Sequence, residues 1–337
     1  MTLRRHVLDS TNRALHWAGL HLLTTGDFET LRRAYEGPAV AARPIPPEAQ
    51  EYLRWNNPAL LELERRYEGH PAAGHTQWRK RNLQAGIDLT RFRGDNHYVY
   101  QTRWNPGTAT YFMTAQYARD IDRLGMFGRL REDGLFGAHT VEFDDGTLVS
   151  RDLLDSVNQA NVIARLLGRG PGDPIRILDI GAGYGRLAHR LAEGLDRVHT
   201  TCTDAVPLST FLSAFYLRFR GVEDRTPVVP LDDVETRLKG ASFDIVTNIH
   251  SFSECRMSAI AWWFDLLGHV DVARLLIVPN RMDEFQSTES DGRHLDFLPL
   301  FAERGWKHAH SEPVYSQSSA AQRCALYPQF KFHLFER

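Results

Sequence analysis

The chain has 337 residues, of which 42% are hydrophobic, 11% aromatic and 24% charged, and its formal net charge is −2. These are globular values and exclude a collagenous, coiled-coil or disordered protein. A near-neutral balance without a block of like charge excludes nucleic acid or an anionic membrane as the expected main partner. Three cysteines, Cys202, Cys255 and Cys324, are widely spaced and form no CxxC. They argue against a disulfide framework or a structural zinc site and fit a reducing cytoplasm, the expected location. Near the N-terminus, Asp9, Asn12, Arg13 and His16 interrupt the apolar residues, which suits an amphipathic helix and not a signal peptide. No apolar run approaches the roughly 18 residues that span a bilayer.

The first 70 residues read as helical. Leu15, Ala18, Gly19, Leu22 and Leu23 share one helix face, with Leu8 two turns earlier, and Phe28, Leu31 and Tyr35 continue in a second short helix. Pro44, Pro46 and Pro47 break the pattern. Another helix is expected from about Pro58 to Tyr67. Between about 75 and 150 the pattern is mixed. Arg91 to Tyr98 suits an ordered loop, and His139 to Leu148 reads as a hairpin turning at Asp145-Gly146. Ser150 is placed to cap a helix through Leu167.

After Pro171 the pattern becomes regular. Short apolar strands are expected at 175–180, 198–203, 227–231, 243–249, 275–279, 308–315 and 330–335, and helices at 186–195, 207–219, 257–270 and 295–304. Strands alternating with helices imply a parallel, doubly wound α/β sheet. The last two strands, with no helix expected between them, should form an antiparallel hairpin at one edge. The expected organisation is a mostly helical accessory or lid region over 1–149 and a Rossmann-like domain with a seven-strand, mostly parallel sheet over 150–337.

Within that region, Ile177-Leu-Asp-Ile-Gly-Ala-Gly-Tyr-Gly-Arg-Leu-Ala188 carries the strongest signal. Strand, glycine turn and helix follow in the order that a nucleotide-type cofactor needs, since glycines admit close backbone approach and the helix start offers free N–H groups. Asp204 lies 19 residues past Gly185 at the end of the next strand, where a carboxylate can accept ribose hydroxyls. A dinucleotide site would want glycine at 186, where Arg186 stands. Glycines at 181, 183 and 185, with Asp179 two residues before the first, instead resemble the S-adenosylmethionine (SAM) methyltransferases.

Four blocks sharpen the resemblance: Asp179 to Leu187, Cys202 to Thr210, Asn248 to Glu254 and Ser290 to Phe297. Together they resemble the sugar O-methyltransferases of natural-product and polysaccharide pathways. Weaker likeness runs through Phe92-Arg-Gly-Asp-Asn96 and Asp133-Gly-Leu-Phe-Gly137. The resemblance implies a class I methyltransferase fold, SAM as cofactor and a sugar hydroxyl as acceptor. The expected cofactor contacts are Asp179, Gly181, Ala182, Gly183 and Gly185 of the turn, Asp204 and Ala205, Leu231 and Asp232, and Asn248 and Ile249.

Transfer to a hydroxyl benefits from a positioned base, and the carboxyl end of the fourth strand faces the cofactor crevice. His250 stands there as the leading base, with a competing role in satisfying loop backbone or the SAM carboxylate. Glu254 can orient His250 or lie near a helix dipole as a cap. His294, in the polar loop Glu289 to His294, is the rival base. Glu289 and Asp291 offer oxygens to a divalent cation such as Mg²⁺. Asp232 can accept from the adenine amino group or cap a helix. Trp262, Trp263 and Phe264 read as sheet-packing core, and Cys202 and Cys255 as buried small groups. The expected activity is methylation of a sugar hydroxyl, on a deoxysugar of a natural product or on a nucleotide sugar, with a homo-oligomer allowed. A second reading keeps SAM and changes the acceptor to a phenol, carboxylate or amine. A third is a SAM-binding scaffold without chemistry.

Overall fold

The computed structural model describes residues 10–12, 14–15, 20, 22, 24–25, 43–73, 78, 80–94, 96, 99, 107–143, 145–280 and 284–337. Most of the two helices expected before Tyr35 falls outside the described residues, as do Asp95, His97 and Tyr98 of the Arg91–Tyr98 loop. The chain divides into two compact units. One comprises Met1–Leu53, Gly86–Asn161 and Pro313–Gln329, and the other Arg54–Ala85, Val162–Glu312 and Phe330–Arg337. The division therefore follows neither side of the expected boundary at 149/150. Residues 54–85 belong with the later sequence, and residues 313–329 with the earlier. Among the described residues no helix is long and apolar enough to cross a membrane.

In the first unit, β1 (Thr140–Glu142) pairs antiparallel with β2 (Leu148–Ser150), as the alternating pattern suggests. Gly146 takes φ +77° in the turn, and Asp145 Oδ1 accepts the Thr147 N–H at 2.9 Å. Ser150 Oγ accepts the Leu153 N–H at 3.2 Å and so caps the helix Arg151–Leu167. The helix Thr108–Ile121 lies in the stretch with no clear periodicity. Arg93 is fully buried, and its guanidinium meets Glu132 at 2.8 Å, Asp152 at 3.2 Å and the Leu135 carbonyl at 3.4 Å. Phe92 stacks on Phe136 with ring centroids 4.9 Å apart. The two weakly matching blocks, 92–96 and 133–137, thus meet around one buried cation.

The second unit carries the α/β sheet. Its strands are β3 (Ile175–Ile180), β4 (Val198–Thr203), β5 (Ile245–Ile249), β6 (Arg274–Val278), β7 (Lys307–Pro313) and β8 (Lys331–Glu336). Their order is β4-β3-β5-β6-β8-β7. The first four are parallel to one another, and β8 is antiparallel to β6. Near-continuous apolar runs such as Ile175–Ile180 form interior strands because helices cover both faces of a parallel sheet. The chain runs from β3 outward to β4 and then returns to the other side of β3 as β5. This reversal opens a crevice at the carboxyl ends of β3 and β5.

Two expectations are corrected. The sheet has six strands and not seven. The segment expected as a strand at 227–231 is reduced to one parallel bridge, Cys202 to Val228. It follows the edge of β4 through Cys202 N–H to Pro227 O at 2.9 Å and Val229 N–H to Cys202 O at 2.8 Å. Pro227 and Pro230 have no N–H to extend the ladder. The last two strands lie side by side at one edge, as expected, in the order β6-β8-β7, but their connection contains the short helix Ala321–Cys324, where no helix is expected.

Removing one partner of a buried ion pair strands the others without compensation, at about 3–5 kcal/mol. Arg93→Ala should destabilise the first unit by that amount in a denaturant titration. Arg65→Ala, which breaks only the exposed pair with Glu62, should leave the midpoint unchanged.

Candidate functional site

The glycine turn leaves β3 with Gly181, Gly183 and Gly185 at φ +76°, +60° and +83°. All three occupy the left-handed region that side chains with a Cβ adopt poorly, so the spacing of the glycines is the spacing of the backbone reversals. Gly181 is doubly constrained. A Cβ built on it would stand 2.3 Å from the Ser251 side chain, so the turn and the loop after β5 are in direct contact. The helix Arg186–Gly194 then starts, with Gly185 O accepting the His189 N–H at 2.9 Å.

Asp204 ties this turn to the end of β4. Its Oδ2 accepts the Gly183 N–H at 3.0 Å and its Oδ1 the Val206 N–H at 2.8 Å. Thr203 O accepts the N–H groups of Gly181 and Ala182 at 2.9 and 3.2 Å. Asp204 is only 7% exposed. Burial pushes its carboxyl up to about 7, the two backbone amides pull it down, and nearby Asp179 pushes it up again. Asp179 is buried beneath the turn, where Thr247 Oγ1 donates to its Oδ1 at 2.7 Å. Burial raises it to about 6, opposed by that hydroxyl and by Arg186. Asp179 thus acts through the turn's foundation, whereas Asp204 sits at its rim with Ala205 buried behind it.

From β5, Asn248 Nδ2 donates to Ile180 O at 2.9 Å, and its Oδ1 accepts the Phe252 N–H at 2.9 Å. Ile249 closes the strand, and His250 follows at φ +69°, an uncommon conformation for a residue with a Cβ. Its N–H donates to Val278 O at 2.7 Å, which fastens the loop to the end of β6. The His250 ring lies 4.6 Å from that of Phe330, tilted by 49°. The half-buried imidazole therefore stands at the carboxyl end of β5, one residue from the contact between Ser251 and Gly181.

Glu254 accepts from Trp78 Nε1 at 2.7 Å and from Asn280 Nδ2 at 2.8 Å. It lies in a single turn before the helix Met257–Leu267, whose first N–H is taken by Glu289 Oε1 at 2.8 Å. The cap of that helix is therefore Glu289 and not Glu254. Glu289 Oε1 also accepts from Ser287, while exposed Asp291 turns back onto Arg293 at 2.6 Å, and the Arg293 amide and guanidinium hold its carboxyl below the usual range. These two carboxylates thus serve a helix start and a local turn. Among the described residues no group of three His, Cys, Asp or Glu side chains has a metal-holding arrangement.

His294 is exposed, and its Nδ1 lies 2.7 Å from Ser287 O. A carbonyl only accepts, so Nδ1 carries the proton and Nε2 is the basic nitrogen of the neutral ring. Leu231 is buried, and its N–H donates to Tyr67 Oη at 2.7 Å. Asp232 Oδ2 pairs with Arg66 at 2.7 Å. Asp233 precedes the helix Val234–Leu238 without a side-chain capping bond. Trp263 and Phe264 are core, and partly buried Trp262 packs edge-on to His70 at 4.7 Å. Cys202 and Cys255 are buried, which pushes both thiols up. Tyr67, Trp78, Thr247 and Phe330 belong to this region and carried no motif. Their partners are up to 176 residues away in sequence.

No protein-family model matches the chain, and no curated protein matches it. Solved structures do. The [4+2]-cyclase SpnF is similar over 66% of this chain and 96% of its own, at 14% identity and a TM-score of 0.40. Magnesium protoporphyrin IX methyltransferase (ChlM) from Synechocystis PCC 6803 with bound SAM is similar over 66% and 97%, at 15% identity and 0.39. The mitomycin 7-O-methyltransferase MmcR is similar over 55% and 56%, at 18% identity and 0.38. Each is a partial likeness at low identity, and none assigns an activity to this chain.

Gly181→Ala should distort the turn, because both the φ angle and the approach to Ser251 oppose a Cβ. It should lower the melting temperature by several degrees, whereas Gly172→Ala, with nothing within 4 Å, should not. The raised carboxyls give a second expectation. Unfolded Asp titrates near about 3.9, so the folded chain holds extra protons between about pH 4 and 7. Their contribution to stability is full below the unfolded value and is lost as pH rises through the folded values. The fall in melting temperature between pH 5 and 8 should be smaller in Asp204→Asn than in the wild type.

Proposed function

We propose that this protein is a SAM-dependent methyltransferase whose acceptor is a hydroxyl of a sugar or glycosylated small molecule. The observation that carries the cofactor part is the bond from Gly183 N–H to Asp204 Oδ2 across a turn of three left-handed glycines. The fit rests on the donor set. The half-exposed turn at residues 181–183 allows close approach of a ligand, and the start of the helix Arg186–Gly194 adds a positive dipole end. Asp204 takes the Gly183 and Val206 amides and the Ser209 hydroxyl, and offers its remaining lone pair to a ribose hydroxyl. The sugar acceptor rests on the resemblance of the four sequence blocks.

When bound, the cofactor supplies an electrophilic methyl group on a sulfonium. The chain's own task is to hold an acceptor hydroxyl in line with that group, exclude water and remove the hydroxyl proton. His250 is assigned the proton. It leads out of β5, beside the turn that holds the cofactor, and its backbone is pinned on both sides by Asn248 and by Val278 O. An imidazole accepts the hydroxyl proton as the oxygen–carbon bond forms, and releases it to solvent afterwards. Asp204 links binding to protons. Ribose hydroxyls bond more strongly to the ionised carboxylate than to the neutral acid, so cofactor binding draws its carboxyl downward and expels a proton.

The test is calorimetric titration of S-adenosylhomocysteine, followed by labelled methyl transfer from SAM to a panel of glycosylated metabolites. Asp204→Ala should weaken binding at least about tenfold, the worth of one charge-assisted bond. In the wild type, affinity should rise from pH 6 to 8. His250→Ala should lower kcat by about 10²-fold with affinity retained. A wild type that binds neither ligand defeats the cofactor reading. Full kcat in His250→Ala passes the proton to His294.

A further inference from the structure

Two side chains outside the strand–helix series reach the loops on which this site is built. Tyr67 ends the helix Pro58–Tyr67 and is 2% exposed. Its hydroxyl receives the Leu231 N–H at 2.7 Å and lies 2.9 Å from Thr210 Oγ1. Thr210 Oγ1 in turn donates to Asp204 O at 3.4 Å. The two ends fix the direction of this chain, since an amide only donates and a carbonyl only accepts. Protons therefore point one way throughout, from Leu231 N–H to Tyr67 Oη–H to Thr210 Oγ1–H to Asp204 O. A relay of this kind is polarised along its length, and each buried member depends on the next.

Trp78 acts on the other side of the crevice. Its indole N–H donates to Glu254, whose second oxygen accepts from Asn280, and Asn280 N–H donates to Ser253 Oγ at 3.3 Å. This bridge joins the loop after β5, which carries His250, to the loop after β6. The nearby pairs of Arg66 with Asp232 and Asp233 are half-exposed and contribute little by comparison. The informative contacts are the buried ones, and each ends on a loop with a separate task.

We infer that Tyr67 and Trp78 are positioning residues with divided duties. Tyr67 sets the Asp204 loop for the cofactor ribose, and Trp78 sets the loop carrying the base. The inference rests on the SAM reading above and goes beyond it by predicting that the two effects separate. Tyr67→Phe keeps the ring and removes only the hydroxyl. It should raise KM for SAM and Kd for S-adenosylhomocysteine about tenfold, with kcat within about twofold. Thr210→Val cuts the same relay one bond further on and should give the same split. Trp78→Phe should lower kcat about tenfold with Kd unchanged.

A merely structural fastening would lower the melting temperature without dividing KM from kcat in this way. Wild-type kinetics in Tyr67→Phe and Trp78→Phe, or equal losses in both parameters, overturn the inference while the cofactor reading stands. If Tyr67→Phe fails to fold, Thr210→Val alone decides the cofactor half. If the wild type itself binds no S-adenosylhomocysteine, the cofactor reading falls and takes this inference with it.

Discussion

Asp204 accepts the amide hydrogens of Gly183 and Val206 on opposite carboxylate oxygens while 7% of its surface remains exposed. Burying a carboxylate is unfavourable, which is why its proton is held up to about 7. The two amides offset that cost only if the glycine turn keeps its left-handed conformation. Geometry and charge therefore depend on each other: the turn satisfies the carboxylate, and the carboxylate holds the turn. Asp179 adds a second buried carboxyl within electrostatic reach, stabilised by Thr247 from the neighbouring strand. The end of the sheet thereby carries two buried carboxyls, each bonded to a neighbouring loop or strand.

From that constraint the loops of the crevice follow. Gly181 can approach Ser251 because it has no Cβ, and this closeness places the His250 backbone beside the turn. Asn248 spans from Ile180 O to Phe252 N–H, so β3 and the loop after β5 are fixed as one piece. The left-handed backbone of His250 is a strained choice maintained by its bond to Val278 O. Acidic residues that look alike in sequence part company here. Glu289 caps a helix, Asp291 closes a turn on Arg293, and Glu254 joins Trp78 to Asn280. None of these assignments depends on residue type alone. Each depends on which N–H the fold delivers.

The first unit uses buried charge differently. Arg93 has no exposed surface and gathers Glu132, Asp152 and a backbone carbonyl around one guanidinium. Its planar fork suits several acceptors at once, a geometry that lysine does not reproduce. Ser150 links this group to the helix start, because its hydroxyl both donates to Glu132 and accepts from Leu153 N–H. The weakly matching blocks at 92–96 and 133–137 are thus explained by packing around this residue.

Local pattern alone determined the strands 175–180 and 198–203, the helices from Pro58 and Pro207, the hairpin at Asp145-Gly146 and the Ser150 cap, because each is encoded within a few residues. The same holds for the glycine turn and Asp204, where spacing expresses backbone geometry directly. The tertiary structure decided the rest. The segment 227–231 has strand-like composition, yet its prolines and its edge position leave it a single bridge. Thr108–Ile121 is rich in threonine and aromatic residues, so its sequence did not announce a helix, and burial against its surroundings overrode propensity. The placement of residues 54–85 with the sheet, and with it Tyr67 and Trp78, was beyond local pattern. Their partners are more than 140 residues distant, and only the folded chain brings such groups within a hydrogen bond.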